Sequence, residues 1–72
     1  MLRFNFRLNI STQEYVQYYR GNVRNVIATC SDGRTVQFPA GLLTAFVTSA
    51  GIRGAFELLC DEQGKGAQLF KR

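Results

Sequence analysis

The unbroken run Val26–Gly51, VIATCSDGRTVQFPAGLLTAFVTSAG, constrains this chain more than any other stretch. It reads as strand, Asp-Gly turn, strand, proline, apolar helical stripe and glycine stop. The register of its hairpin follows from burial. A two-residue turn at Asp32-Gly33 would set Val26, Ala28 and Cys30 opposite in sense to Val36 and Phe38. A three-residue loop, Ser31-Asp32-Gly33 with Gly33 left-handed, puts all five on one face, and a one-residue slip exchanges the faces. Burial therefore selects the longer loop. Pro39 ends the second strand of the pair and suits a helical first turn, where its missing N–H costs little. Leu42, Leu43, Phe46, Val47 and Ala50 then recur as an apolar helical stripe. Gly51 is expected to stop that helix, with Ile52 against Val47 as in a Schellman cap.

The flanking segments supply the other half of the core. Leu2, Phe4, Phe6, Leu8 and Ile10 alternate with Arg3, Asn5, Arg7 and Asn9, the period of a half-buried strand. Ser11 and Glu14 form a capping box that starts a helix from about Thr12 to Arg20, with Ile10 and Tyr15 placed as a hydrophobic staple. Tyr15, Val16 and Tyr19 are expected on the core side and Tyr18 exposed. Gly21 is the expected left-handed stop. A strand over Asn22–Cys30 leaves Val23 out of phase, which predicts a bulge near Asn25. Arg53–Cys60 forms another strand with Phe56, Leu58 and Cys60 inward and Ala55, Glu57 and Leu59 outward. Within it Gly54 predicts a bulge or a close approach. A polar turn then leads to an edge strand over Ala67–Lys71.

The order is β-α-β-β-α-β-β, an α+β fold in one domain spanning residues 1–72. Short connections favour a mainly antiparallel sheet with both short helices on one face. A bent, SH3-like barrel is the alternative, because the helices are short.

Length and composition narrow the functional classes. A chain of 72 residues buries only roughly 60% of its unfolded surface, so one small core supplies about 3–5 kcal/mol. Such domains commonly add disulfides, a metal or a partner subunit. Cys30 and Cys60 fit apolar strand positions better than a disulfide framework, and with no histidine and no paired-cysteine motif a metal is not expected. Self-association is the remaining route, so a homo-oligomer is expected. No membrane span and no signal peptide is read from the sequence, which places the expected location in the cytoplasm. The net charge of +4 suits an acidic partner or simple solubility, and its scattered basic residues favour the second.

The pattern Glu14-Tyr15, Tyr19 and Gly21, followed by Asp32-Gly33-Arg34, Phe38-Pro39-Ala40, Leu43, Phe46-Val47-Thr48, Gly51-Ile52, Gly54 and Phe56, resembles a family of small gammaproteobacterial proteins of unknown function. The resemblance covers nearly the whole chain. It implies a bacterial, cytoplasmic protein and carries no activity with it. The matching glycines, proline and aromatics are all explained by turns and packing.

No activity is legible in these residues. An enzyme is not expected: acid–base chemistry would fall to Glu14, Asp32, Glu57, Asp61 or Glu62, none with a partner in sequence. The Gly64-Lys65-Gly66 stretch lacks the first glycine, the Ser or Thr, and the helix of a phosphate-binding loop. No cofactor is implied. Two binding functions are left, both using the sheet face away from the helices. The favoured one is a self-associating protein-interaction module with Ile27, Leu59 and Phe70 at its interface. The alternative is non-sequence-specific nucleic-acid binding through Arg3, Arg7, Arg24 and Arg53. Ser11, Glu14, Gly21, Asp32, Gly33, Pro39, Gly51 and Gly54 are read as structural. Both functions require Phe4 and Phe6 to point inward and Arg3 and Arg7 outward.

Overall fold

Alternation in the N-terminal segment becomes strand β1 (Leu2–Ile10), which pairs antiparallel along its whole length with β4 (Ile52–Cys60), from Leu2 opposite Cys60 to Ile10 opposite Ile52. The computed structural model describes all 72 residues. Strand β5 (Gln68–Lys71) pairs antiparallel with the other side of β4, so the first sheet has the order β1-β4-β5. Strands β2 (Asn25–Thr29) and β3 (Thr35–Pro39) form a second, two-stranded antiparallel sheet. A single bridge between Phe6 and Cys30 joins the two sheets. Helix α1 (Thr12–Tyr19) and a 3-10 helix (Ala40–Ala45) complete the α+β order expected from the sequence. No helix is long and apolar enough to cross a membrane.

The expected single sheet covered by two helices is replaced by two sheets, and the reason lies in how little the helices bury. Only Tyr15 of α1 is buried, while Val16 and Tyr19 are exposed. Tyr18, expected outside, packs against the core instead. Cover for the first sheet comes from the β2–β3 hairpin. Val26, Ala28, Cys30, Val36 and Phe38 are all buried and share one core with Phe6, Leu8, Ile10, Ile52, Phe56 and Leu58. Phe38 stacks on Phe6 with ring centroids 5.6 Å apart. That shared face depends on the three-residue loop: the Cys30 N–H donates to the Arg34 carbonyl, and Gly33 sits at φ 89°.

The ends of α1 match the capping reading. The Glu14 N–H donates to the Ser11 hydroxyl, and the Ser11 N–H reaches back to the Glu14 carboxylate. At the other end the Asn22 N–H donates to the Gln17 carbonyl and the Gly21 N–H to the Tyr18 carbonyl, a Schellman motif with Gly21 at φ 80°. The two following residues, Val23 and Arg24, precede the strand, which begins at Asn25. Val23 is therefore out of phase because it lies outside the ladder, and there is no bulge.

The second helix is the largest departure. It ends at Ala45 as a 3-10 turn, so Val47 and Ala50 lie outside it and are exposed. Gly41 lowers helix propensity there, and the Thr44 hydroxyl bonds back to the Gly41 carbonyl. Pro39 provides no side-chain cap. Thr48 and Gly51 exchange backbone hydrogen bonds instead, closing a tight turn in which the Thr48 hydroxyl also accepts from the Ala50 N–H. Ile52 thus begins β4, fully buried, rather than capping a helix against Val47. Leu43 is fully buried, and Phe46 meets Phe56 edge-on at 5.3 Å, so the inner part of the expected stripe does reach the core.

Gly54 is not a bulge. It pairs with Leu8 inside an uninterrupted register, and its φ of 131° explains the glycine. Gly51 carries the tighter constraint, with φ 92° and its α-carbon pressed against the Ile10 carbonyl, where any Cβ would collide with backbone. Gly21 has the same sign of φ but open space around it. Gly51→Ala is therefore expected to remove most or all of the domain's few kcal/mol of stability. Gly21→Ala should cost only about 1–2 kcal/mol for the left-handed backbone. Urea melts of the two variants check this ranking, and equal losses would refute the close-approach reading.

Candidate functional site

The strand alternation that buries Phe6, Leu8 and Ile10 turns Arg3, Asn5, Arg7 and Asn9 to the other side of the first sheet. No element of the chain lies over that side. Pairing arranges its side chains in rows across the three strands. Arg3, Leu59 and Gln68 form one row, and Asn5, Glu57 and Phe70 the next. Arg7 and Ala55 form the third, extended by Arg72, whose N–H donates to the Ala55 carbonyl. Asn9 and Arg53 form the fourth. Rows along a strand are about 7 Å apart, two residues of extended chain.

Electrostatics divide this face into a compensated and an uncompensated part. Glu57 is the single acidic side chain on it, and that side chain is only 12% exposed. Its Oε2 accepts from Arg72 Nη1 at 3.0 Å and lies 3.3 Å from Arg3 Nε. Arg7 has no ion-pair partner. Arg53 donates from Nε to the Ala50 carbonyl, which leaves its charge uncompensated. Four arginines against one acidic side chain give the face a positive surplus. The other acids stand off it: Asp32, Glu14 and Asp61 serve the β2–β3 loop, the α1 cap and the β4–β5 turn respectively, and Glu62 sits in that same turn.

Two hollows open on this face. The larger, about 410 Å³, lies where Ala55 is the one small outward residue of β4. Asn5, Phe6 and Arg7 of β1 line one side, and Ala55, Phe56 and Arg72 another. Thr29 and Ser31 complete the rim where the second sheet meets the first. The smaller, about 290 Å³, is bounded by Arg7, Asn9 and Arg53 with the backbone of Leu8 and Gly54. Arg7 thus borders both.

Of the expected contact residues, Arg3, Arg7 and Arg53 share this face and Arg24 does not. Arg24 precedes β2, where its carbonyl accepts from the Ala40 N–H. The expected interface is also divided. Leu59 and Phe70 lie on the first sheet, whereas Ile27, 68% exposed, stands on the outside of the second. Arg72, Glu57 and Ala55 were missed as a group. The signal was present, since extending the alternation of β4 and β5 puts all three on the arginine side, but no single segment reveals which strands are neighbours.

Arg34 is occupied elsewhere. Its Nε donates to the Asp32 carboxylate at 2.7 Å, its Nη2 to the Arg3 carbonyl, and its guanidinium lies 4.6 Å over the Phe4 ring. The two cysteines lie inside the fold. Both are buried and free. Burial pushes the Cys30 thiol up, the nearby Asp32 charge adds to this, and Arg34 opposes it, so thiolate is scarce at neutral pH.

A small α+β domain with a basic, uncovered sheet face is thus defined. The chain belongs to the family DUF2835, described as a protein of unknown function, which matches residues 2–71. No curated protein and no solved structure matches the chain.

The Asp32 carboxyl is held below its ordinary value, first by the Arg34 N–H donating to it and then by the Arg34 guanidinium. A lowered folded-state pKa means stability that is present above the ordinary aspartate range and lost as pH falls through the folded value. Asp32→Asn keeps a carbonyl acceptor for the Arg34 N–H but removes the charge. Its melting temperature should fall slightly below wild type at pH 7 and low salt. The gap should close as pH drops below about 4. Thermal melts across that range check the sign.

Proposed function

We propose that this protein is a cytoplasmic nucleic-acid-binding domain that takes the phosphate backbone on the outer face of the β1-β4-β5 sheet, without sequence readout. The observation that carries the reading is the row arrangement: Arg3, Arg7, Arg53 and Arg72 stand on one uncovered face with Glu57 as the only acidic side chain among them. Guanidinium groups bind phosphate oxygens with two parallel N–H donors, and an array of them releases counterions from a polyanion. Asn5, Asn9 and Gln68 add neutral polar groups between them. The same charge opposes pairing this face with itself, since a two-fold dimer would bring two cationic surfaces together.

Binding to a short oligonucleotide, followed by fluorescence anisotropy, should weaken linearly on a log–log salt plot. Arg7→Glu should lower the affinity and reduce that slope by about 1 or more. Glu57→Gln should raise the affinity by freeing Arg3 and Arg72. Absence of binding at low salt refutes the reading, as does an affinity indifferent to Arg7.

Self-association is the second reading, and one observation favours it: Ile27 is 68% exposed at the middle of β2, on the sheet opposite to the arginines. A contact there leaves the basic face free in each copy. On this reading, light scattering at micromolar concentration gives a dimer that Ile27→Glu converts to monomer. A monomeric wild type removes it.

A further inference from the structure

We infer that the strand bound on this face is single-stranded, with an unpaired base stacked on Phe70 and its neighbouring phosphate seated between Arg7 and Arg72 over Ala55. The inference rests on the nucleic-acid reading above and adds the substrate class. Phe4 and Phe6 are turned toward the core, yet the face is not without an aromatic ring. Phe70 pairs with Glu57, which places it on the arginine side, and it is 44% exposed. It stands one row from Arg72 and on the edge strand, where a base can reach it from the open side. An exposed ring on an edge strand is costly for solubility and contributes little to a core made by Leu69 on the opposite side of the same strand.

The hollow completes the geometry. Arg7 lies directly across from Ala55 on one side, and Arg72 is bonded to Ala55 on the other, so two guanidinium groups flank the smallest outward side chain of β4. Its 410 Å³ is within the range of small-molecule sites. A phosphate there meets donors from two directions, while a ring on Phe70 lies in the adjoining row. Arg53 and the smaller hollow then continue the path on the far side of Arg7. Stacking platforms combined with a basic track are how sequence-tolerant proteins hold unpaired strands. A duplex hides its base faces inside the stack and offers Phe70 nothing to stack on.

Four ligands separate the possibilities by anisotropy or competition. They are an oligothymidylate and an oligouridylate of about a dozen nucleotides, a duplex of equal length, and inorganic polyphosphate of similar charge. The expected result is that one or both single strands bind at least about ten-fold tighter than duplex and polyphosphate. The tighter of the two identifies the sugar. Phe70→Ala should weaken the single strand by roughly five-fold or more and leave polyphosphate unchanged, whereas Phe70→Tyr should retain it. Ala55→Leu, which fills the hollow, should weaken both single strand and polyphosphate. Melting temperatures of the Phe70 variants separate loss of fold from loss of stacking. Equal binding of all four ligands, with Phe70→Ala silent and Arg7→Glu weakening every one, overturns this inference and leaves the backbone-binding reading standing. No binding of any ligand at low salt overturns both.

Discussion

Everything in this domain hangs on the ladder between β1 and β4. Nine residue pairs run without interruption from Leu2–Cys60 to Ile10–Ile52, bringing together segments from opposite ends of the chain. One face of that ladder supplies Phe6, Leu8, Ile10, Ile52, Phe56 and Leu58 to the core. The other supplies the arginine rows. Because the strand period is two, a single register fixes both faces at once: a one-residue slip would bury Arg7 and expose Phe6. The Gly51–Ile10 approach at the end of the ladder guards that register, since it admits no side chain at Gly51.

Cover for the ladder comes from the β2–β3 hairpin more than from the helices. A two-turn helix that buries only Tyr15 shields little surface, and the 3-10 turn buries only Ala40 and Leu43, with Phe46 partly buried just after it. Closing the core with a second sheet has a consequence for the site. Both sheets spend their apolar faces on each other, so each keeps one outward face uncovered. On the first, that face is cationic; on the second, it carries Ile27. The basic rows and the exposed Ile27 therefore lie on separate surfaces.

Glu57 shapes the electrostatics of the basic face. A carboxylate only 12% exposed between Arg3 and Arg72 orients both guanidinium groups while cancelling part of their charge. Both guanidinium partners are more than half exposed, so solvent screens these pairs and their contribution to stability is modest. Their larger effect is to leave Arg7 and Arg53 as the free charges, at the two hollows. Polar and charged groups thus concentrate where Ala55 leaves room, and the apolar edge of the face ends in Phe70.

Local signals alone determined much of this architecture. The capping box, the Schellman glycine, the three-residue hairpin loop and the inward sense of Phe6 and Phe38 all depend on residues within a few positions of each other. The second helix failed for the same reason: an apolar stripe over residues 42–50 satisfied the helical period, but the Thr48–Gly51 turn and the demands of Ile52 in the ladder took precedence. Which strands are neighbours was decided only in three dimensions. That choice made two sheets of the expected one, separated Ile27 from Leu59 and Phe70, and gathered Arg7, Ala55 and Arg72 into a row. Alternation tells a residue which side it faces. It does not say what stands beside it, because pairing is settled by the burial of the whole core.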